Sequence, residues 1–513
     1  MRFDVVISGG RVLDGTGAPP YRADVAIGGD RIAAVGRLDG AQAETVIDAT
    51  GRFVAPGFVD CHAHGDSAVF EPAVQRAALR QGVTTFVLGQ DGLSYAPGSA
   101  ATVAYAARYF AAVNGPLPGN PPSGGALTVG ELLGGYDRAV ALNTAYLLPH
   151  GTIRYDVMGP SPDPASRDDL AKMVRHVERG LAEGAAGLSS GLEYLPGRYA
   201  SAEELAALCE PLGGLPYVTH MRAYGARAAT GMAEVVEIAE RSGAAVHVSH
   251  LHGPAPVLLP LVEEALGKGV DLTFDTYPYL RGNTILAMVV LPPSVPGAEP
   301  GRALEMIASR ELDDWWPTLV DTWPRLTVSH APGLEWAEGL TMVAAAERAG
   351  VESAEFCRRL LTETRLEAGV VTARPDEGPE GEQSVRTMLR HPSHTGGSDG
   401  IYVGGHPHPR GFGAFARFLG RHVRELADWT WEQAVVHLAS HPARRFGLAD
   451  RGLVRGGFVA DVVVFDLDTV ADRATYAAPR TLATGVDDVV VSGVRVLAGG
   501  ELTGATPGRA LRS

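Results

Sequence analysis

Over residues 1 to about 55, apolar positions fall in short β-branched runs: Asp4-Val5-Val6-Ile7, Arg11-Val12-Leu13, Ala23 to Ile27 and Arg31 to Val35. Glycine pairs and a Gly-Thr-Gly tripeptide punctuate them as turns. So few short strands cannot enclose a core alone and need a partner sheet. Val462-Val463-Val464-Phe465 and Val489-Val490-Val491 have the same texture at the other end of the chain. The pattern predicts a small β-sandwich assembled from both termini, residues 1–56 and 441–513.

From 57 to 440 the pattern changes. Eight strand-like apolar runs end near His64, Asp91, His150, Tyr194, His220, His250, Tyr279 and Asp399. Most are followed by a segment of helical period, as at Glu71 to Gln81, Arg167 to Glu183, Ala202 to Leu212, Met232 to Ser242 and Pro256 to Gly267. Alternation of this kind predicts an α/β fold, a (β/α)8 TIM-like barrel whose polar chemistry sits at the C-terminal strand ends. Residues 283–395, rich in Trp, Pro and Glu, predict an insertion of helices or a lid between strands seven and eight. Ala303 to Arg310 and Leu340 to Ala349 are helical in pattern, and Pro375 to Glu382 reads as a mobile loop.

The polar residues at those ends are specific. Phe58-Val59 closes a buried strand, and in Asp60-Cys61-His62-Ala63-His64 the two histidines, two apart on extended chain, face the same way. Cys61 points to the opposite face and reads as packing. Thr219-His220, Ser249-His250 and Ser398-Asp399 end three further strands. Four imidazoles and a carboxylate converging on one mouth form a divalent metal site. The donor set favours Zn2+, one ion or two, with other divalent transition metals also suited. Such an ion acidifies water, and Asp399 is placed to accept the proton and return it to a leaving group.

Composition narrows the picture. The chain has 513 residues, 45% hydrophobic and 20% charged, with net charge −15 and no basic run. That texture suits a soluble enzyme of small molecules and argues against a nucleic-acid partner. The three cysteines, Cys61, Cys209 and Cys357, are far apart and odd in number, which fits a reducing cytoplasm better than a disulfide framework. No secretory h-region, membrane-length apolar run, GxGxxG or Walker pattern is found. Oligomeric state is not readable.

The whole layout resembles the amidohydrolase superfamily and, within it, the N-acyl-D-amino-acid deacylases (D-aminoacylases). The resemblance rests on Gly9 to Gly17, Pro56 to Asp60, Gly187 to Tyr194, Thr219 to Arg222, Asp275 to Tyr279, Gly397 to Gly400, His408-Pro409-Arg410 and Pro507-Gly508-Arg509. It implies a zinc hydrolase that splits N-acyl-D-amino acids into a carboxylate and a free D-amino acid. It places His220 and His250 on the more firmly held ion and His62 and His64 around a second site.

Two departures stand out. Where those deacylases carry a metal-bridging cysteine, this chain has Asp91, with Glu193 as the alternative bridge. The carbamylated lysine of other superfamily members has no counterpart, since the only lysines, Lys172 and Lys268, lie on helical segments. That weighs against the rival reading as a hydantoinase- or dihydroorotase-type cyclic-amide hydrolase. The intact ligand set weighs against a second rival, a catalytically silent scaffold. The second departure is His252, which stands where the family has a carboxylate-holding lysine. Arg410 matches the family arginine, Arg281 is a candidate for the missing cation, and Tyr194 and Tyr279 are candidate hydroxyl donors to substrate. His150 is assigned a supporting place behind the ligands, and His247 a structural one.

Overall fold

The computed structural model describes residues 2–117 and 125–512. Eight parallel strands form its centre. In spatial order they are Phe58–Asp60, Val83–Leu88, Asn143–Tyr146 continued by Leu148–Pro149, Leu188–Gly191, Tyr217–His220, Val246–Val248, Leu272–Asp275 and His394–Thr395. Spatial order equals chain order. The last strand returns beside the first, where the Cys61 N–H donates to the Gly396 carbonyl at 3.2 Å and Gly400–Ile401 pairs with Ala63–His64. Every residue of Val83–Leu88, Leu188–Gly191 and Tyr217–His220 is buried. Parallel strands covered on both faces need such unbroken apolar or hydrogen-bonded sequence.

The helices cover the outer face. Pro72–Leu79, Arg167–Ala182, Ala202–Cys209 and Ala255–Gly267 match the periodic segments to within a turn. The helix read at Met232 starts a turn earlier, at Ala228. Pro211 ends the regular α-helix after Cys209, and Glu210–Leu212 tightens into a 3-10 turn.

Both chain ends share one sheet. Phe53–Pro56 pairs antiparallel with Val462–Phe465, at the middle of a seven-stranded sheet. A four-stranded sheet of Arg31–Gly36, Asp24–Gly28, Arg2–Ser8 and Gln42–Asp48 packs on it through Ile7, Val25, Ile27, Val54, Val462 and Val464. Valines two apart on Val462–Phe465 thus face this second sheet. Val463 and Phe465 face the main core.

The insertion carries more than helices. Arg281–Ile285, Gly369–Ala373 and Leu326–His330 make an antiparallel sheet over a separate core that includes Trp316, Trp323 and Phe356. Helices Pro300–Ala308 and Met342–Ala349 lie where the pattern put them. The stretch read as a mobile loop differs: Pro379 opens the helix Pro379–Leu389. Proline is pre-shaped for that first position, and Glu380 and Glu382 complement the helix N-terminus. Among the described residues no helix is long and apolar enough to cross a membrane.

Phe465 ties the layers together. Its ring lies 5.7 Å from Phe53, 5.8 Å from Trp431 and 6.5 Å from Phe58. Phe465→Ala is expected to cost about 3–5 kcal/mol. Chemical denaturation checks this; a loss below about 1 kcal/mol would show that the contact carries little.

Candidate active site

The parallel strands deliver His62, His64, Asp91, His220, His250 and Asp399 to one buried cluster. Asp91 lies at its middle. Its Oδ1 is 3.7 Å from His62 Nε2 and 3.6 Å from His250 Nε2, and its Oδ2 is 3.7 Å from His64 Nε2 and 3.5 Å from His220 Nδ1. Asp399 Oδ1 is 3.7 Å from His62 Nε2 and 3.4 Å from His64 Nε2. These lengths are too long for good hydrogen bonds. They suit donors around a common ion, since tetrahedral ligands at about 2.1 Å stand about 3.4 Å apart. His62 Nε2 and Asp91 Oδ1 are buried without a hydrogen-bond partner. The donor set therefore fits a divalent cation, with His62, Asp91 and His250 forming one group and His62, His64 and Asp399 another.

Electrostatics agree. Burial opposes charge on His62 and His220. Even so, Asp275 and the other carboxylates raise His62 to about 9, and Asp91 with Glu193 raises His220 to about 10. Burial likewise disfavours ionised Asp91, but His220 and His250 hold its carboxyl well below the usual range. The field at the cluster favours positive charge. Glu193 sits at its rim, where its Oε2 is 3.0 Å from His220 Nε2, on the side away from Asp91. Asp91 reaches all four imidazoles, and Glu193 reaches one.

The backbone is strained where the ligands are aimed. Asp91, His250 and Asp399 have φ of 55°, 34° and 49°. Such left-handed residues cost free energy and persist where surrounding contacts over-determine them. For Asp399 those contacts are visible. Its N–H donates to the His62 carbonyl at 2.8 Å, and Asp60 holds the neighbouring Ser398 by both N–H and hydroxyl. Burial lifts the Asp60 carboxyl to about 7 despite those bonds.

Three supporting residues were given no role by the sequence pattern. Asp275 Oδ2 is 3.3 Å from His62 Nδ1 and 3.1 Å from His247 Nε2, and its Oδ1 accepts from the His250 N–H at 3.0 Å. A single carboxylate thus orients two ligands from behind. Asn114 Oδ1 does the same for His64 Nδ1 at 3.1 Å, and Asp60 does it for the loop of Asp399. An acidic residue inside the Asp275 to Tyr279 motif was a usable signal for the first; a lone Asn in a short helix was none. Cys61, His247 and Asp275 also lie close together, but the Cys61 Sγ bonds Thr395 Oγ1 at 3.2 Å, and burial with Asp275 pushes its thiol well up.

A cavity of about 190 Å³ opens over the cluster and is lined by Tyr194, His252, Tyr277, Arg410 and the insertion strand at Gly282 to Thr284. Arg410 is fully buried; Nη1 is 2.8 Å from Asp399 Oδ2, and Nε has no partner. Burial opposes ionised Asp399, but Arg410 and His64 hold its carboxyl below the usual range. Tyr194 lines the cavity with its hydroxyl 2.8 Å from Thr284 Oγ1. His252 also lines it. Its Nδ1 bonds the His250 carbonyl at 2.8 Å, and burial with Arg374 lowers it to about 3, so it supplies no charge in place of lysine.

Two expected residues lie elsewhere. Tyr279 packs on His408 and Arg417, outside the cavity, and Tyr277 takes the inner position beneath Arg410 at 4.5 Å. The reason is local. Past Asp275 the chain leaves the strand, and the Tyr279 N–H turns back to the Tyr277 carbonyl at 2.9 Å, which breaks the alternation. Arg281 is spent on Glu377 at 2.6 Å and on the Tyr476 ring at 4.4 Å. His150, expected behind the ligands, has its Nε2 2.8 Å from Glu204 Oε1, and no hydrogen bond to a ligand is found among the described residues.

Asp275→Asn keeps shape and removes charge. We expect zinc affinity to fall about 10–100-fold with the fold intact. Chelator competition reads this; unchanged affinity would remove Asp275 from the metal's support.

Residues 45–497 match the family model described as "Amidohydrolase family". The chain is 36% identical to N-acyl-D-glutamate deacylase of Alcaligenes xylosoxydans xylosoxydans, over 96% of this chain and 94% of that one. It is 34% identical to D-aminoacylase of the same organism, over 99% and 97%. The solved N-acyl-D-glutamate deacylase of Bordetella bronchiseptica, complexed with zinc and a phosphonate mimic of the tetrahedral intermediate, superposes with TM-score 0.84 at 32% identity, over 100% of both chains. With that match spanning nearly its full length, the chain belongs to the amidohydrolase family.

Proposed function

We propose that this protein is a metal-dependent hydrolase of N-acyl-D-amino acids, releasing a carboxylate and a free D-amino acid. One observation carries the reading: four imidazoles, Asp91 and Asp399 meet at ligand spacing, in a chain similar end to end to N-acyl-D-amino-acid deacylases. His62, His64, Asp91, His220, His250 and Asp399 would hold one or two Zn2+ ions. The chemistry supplied there is acidification of water and polarisation of the acyl carbonyl. Of the two bridge candidates, Asp91 is favoured by its central place.

The chain's own groups do the rest. Asp399 Oδ1 faces the cluster and takes the proton of the attacking water. Its Oδ2 stays paired with Arg410, which keeps the carboxylate ionised until then. Asp399 then returns the proton to the leaving nitrogen. Arg410 has five N–H donors and spends few of them, so its free edge can take the substrate carboxylate. Tyr194 and Tyr277 line the cavity beside that pair.

The eight strands are read as a (β/α)8 barrel over 57–440, interrupted at about 283–395, with 1–56 and 441–513 as a β-sandwich. The three free cysteines support a cytoplasmic setting. The acidic balance supports a small-molecule substrate rather than nucleic acid or membrane.

Amine release from N-acyl amino acids of both hands tests the activity, with turnover expected on the D series. Asp399→Asn should lower kcat about 10²–10⁴-fold while the fold is kept. Near-normal kcat in that variant would contradict the assigned base.

A further inference from the structure

Beside the cavity over the cluster lies a second one, of about 370 Å³, which shares the walls Glu193 and Met288 with it. Its lining is mixed. Leu192, Ile285, Leu291 and Val295 are apolar, and Arg108, Arg198, Arg222 and Arg227 are basic, with Arg198 and Arg227 reaching the exposed rim. Four guanidinium groups thus stand against the single carboxylate of Glu193, in a chain of net charge −15.

Only one of the four is neutralised. Arg222 is held by Glu234 at 2.9 Å and by the Ala200 carbonyl at 2.7 Å. Among the described residues, no carboxylate comes within ion-pair distance of Arg108, Arg198 or Arg227. Glu193 bonds His220, and Arg227 acts on it only beyond ion-pair distance. Half-buried Arg108 has the Tyr105 ring at 6.0 Å, with Glu367 acting on it from beyond ion-pair distance. Another cavity bordering the site, near His252, shares Arg227 with this one, but its Arg374 is closed off by Asp376 at 3.0 and 2.7 Å and its Arg325 by the Ala373 carbonyl at 2.9 Å. A guanidinium fork without a partner is a ready receptor for a carboxylate.

We propose that this cavity is a specificity subsite for a substrate arm that ends in an anion after a short apolar stretch. The inference rests on the proposed amide hydrolysis for its position next to the reacting bond. The apolar lining takes the methylene stretch, and Arg108, Arg198 and Arg227 take the distal carboxylate. That arm is the acyl group of an N-dicarboxyl amino acid or an acidic side chain, and the charge chemistry is the same for both.

Binding and turnover test this separately. The zinc-loaded protein is titrated with hexanoate and with adipate, which share one carboxylate and differ in the distal one. Adipate should bind about tenfold more tightly or better. Arg108→Ala with Arg227→Ala should erase that difference, and Arg227→Glu should invert it. The kcat/KM ratio of N-adipoyl- over N-hexanoyl-D-leucine reads the acyl arm. The ratio of N-acetyl-D-2-aminoadipate over N-acetyl-D-norleucine reads the side chain. One of the two ratios should fall at least about tenfold in the double variant, mainly through KM. Equal binding of hexanoate and adipate, or an adipate preference that survives both substitutions, overturns the subsite. So does turnover in which neither ratio changes. A protein that discriminates adipate through these arginines but hydrolyses no N-acyl amino acid keeps the subsite and refutes the hydrolase reading.

Discussion

A carboxylate buried among four imidazoles sets the terms for everything around it. Asp91 lies inside the protein with no hydrogen-bond donor at its Oδ1, and three of the imidazole contacts it makes are 3.6 Å or longer. A charge taken out of water at such spacing is costly unless something positive shares it. A divalent cation does so with one set of bonds, and neutral imidazoles are then the natural remaining ligands. Asp399 obeys the same logic one step out, with His64 on one oxygen and Arg410 on the other.

The scaffold serves that constraint in layers. The strands bring ligands to one end from residues as far apart in sequence as His62 and Asp399. Behind them, Asp275, Asn114 and Asp60 fix ring orientation and loop position by hydrogen bonds. Ahead of them, the insertion sends Arg281–Ile285 across the mouth, so the substrate cavity is walled partly by a separate core. The parallel strands and the loops after them thus supply the ligands, and the insertion supplies part of the wall of the substrate cavity.

The sequence made the first of these parts readable and the second much less so. His62, His64, His220 and His250 stand at or just past the ends of apolar runs, where strand periodicity fixes direction. Asp91 and Asp399 follow glycine-bearing turns at the same level. Tyr279 misled because periodicity applies only within a strand, and the chain turns back on itself right after Asp275. Arg281 misled because a cation near a site says nothing of its partner; Glu377, nearly a hundred residues on, claims it. The antiparallel sheet of the insertion was hidden because its strands are separated by Trp- and Pro-rich helices and pair out of order. The arginine cavity was hidden for a like reason: Arg108, Arg198 and Arg227 come from separate elements and meet only in three dimensions.

Anomalous diffraction at the zinc edge from crystals of the zinc-loaded protein bears most directly on the central claim. A peak is expected within coordination distance of an Asp91 oxygen and at least two of the imidazoles of His62, His64, His220 and His250, with any second peak inside the same cluster. Signal confined to Cys61, His247 and Asp275, or no peak among these imidazoles, would contradict it.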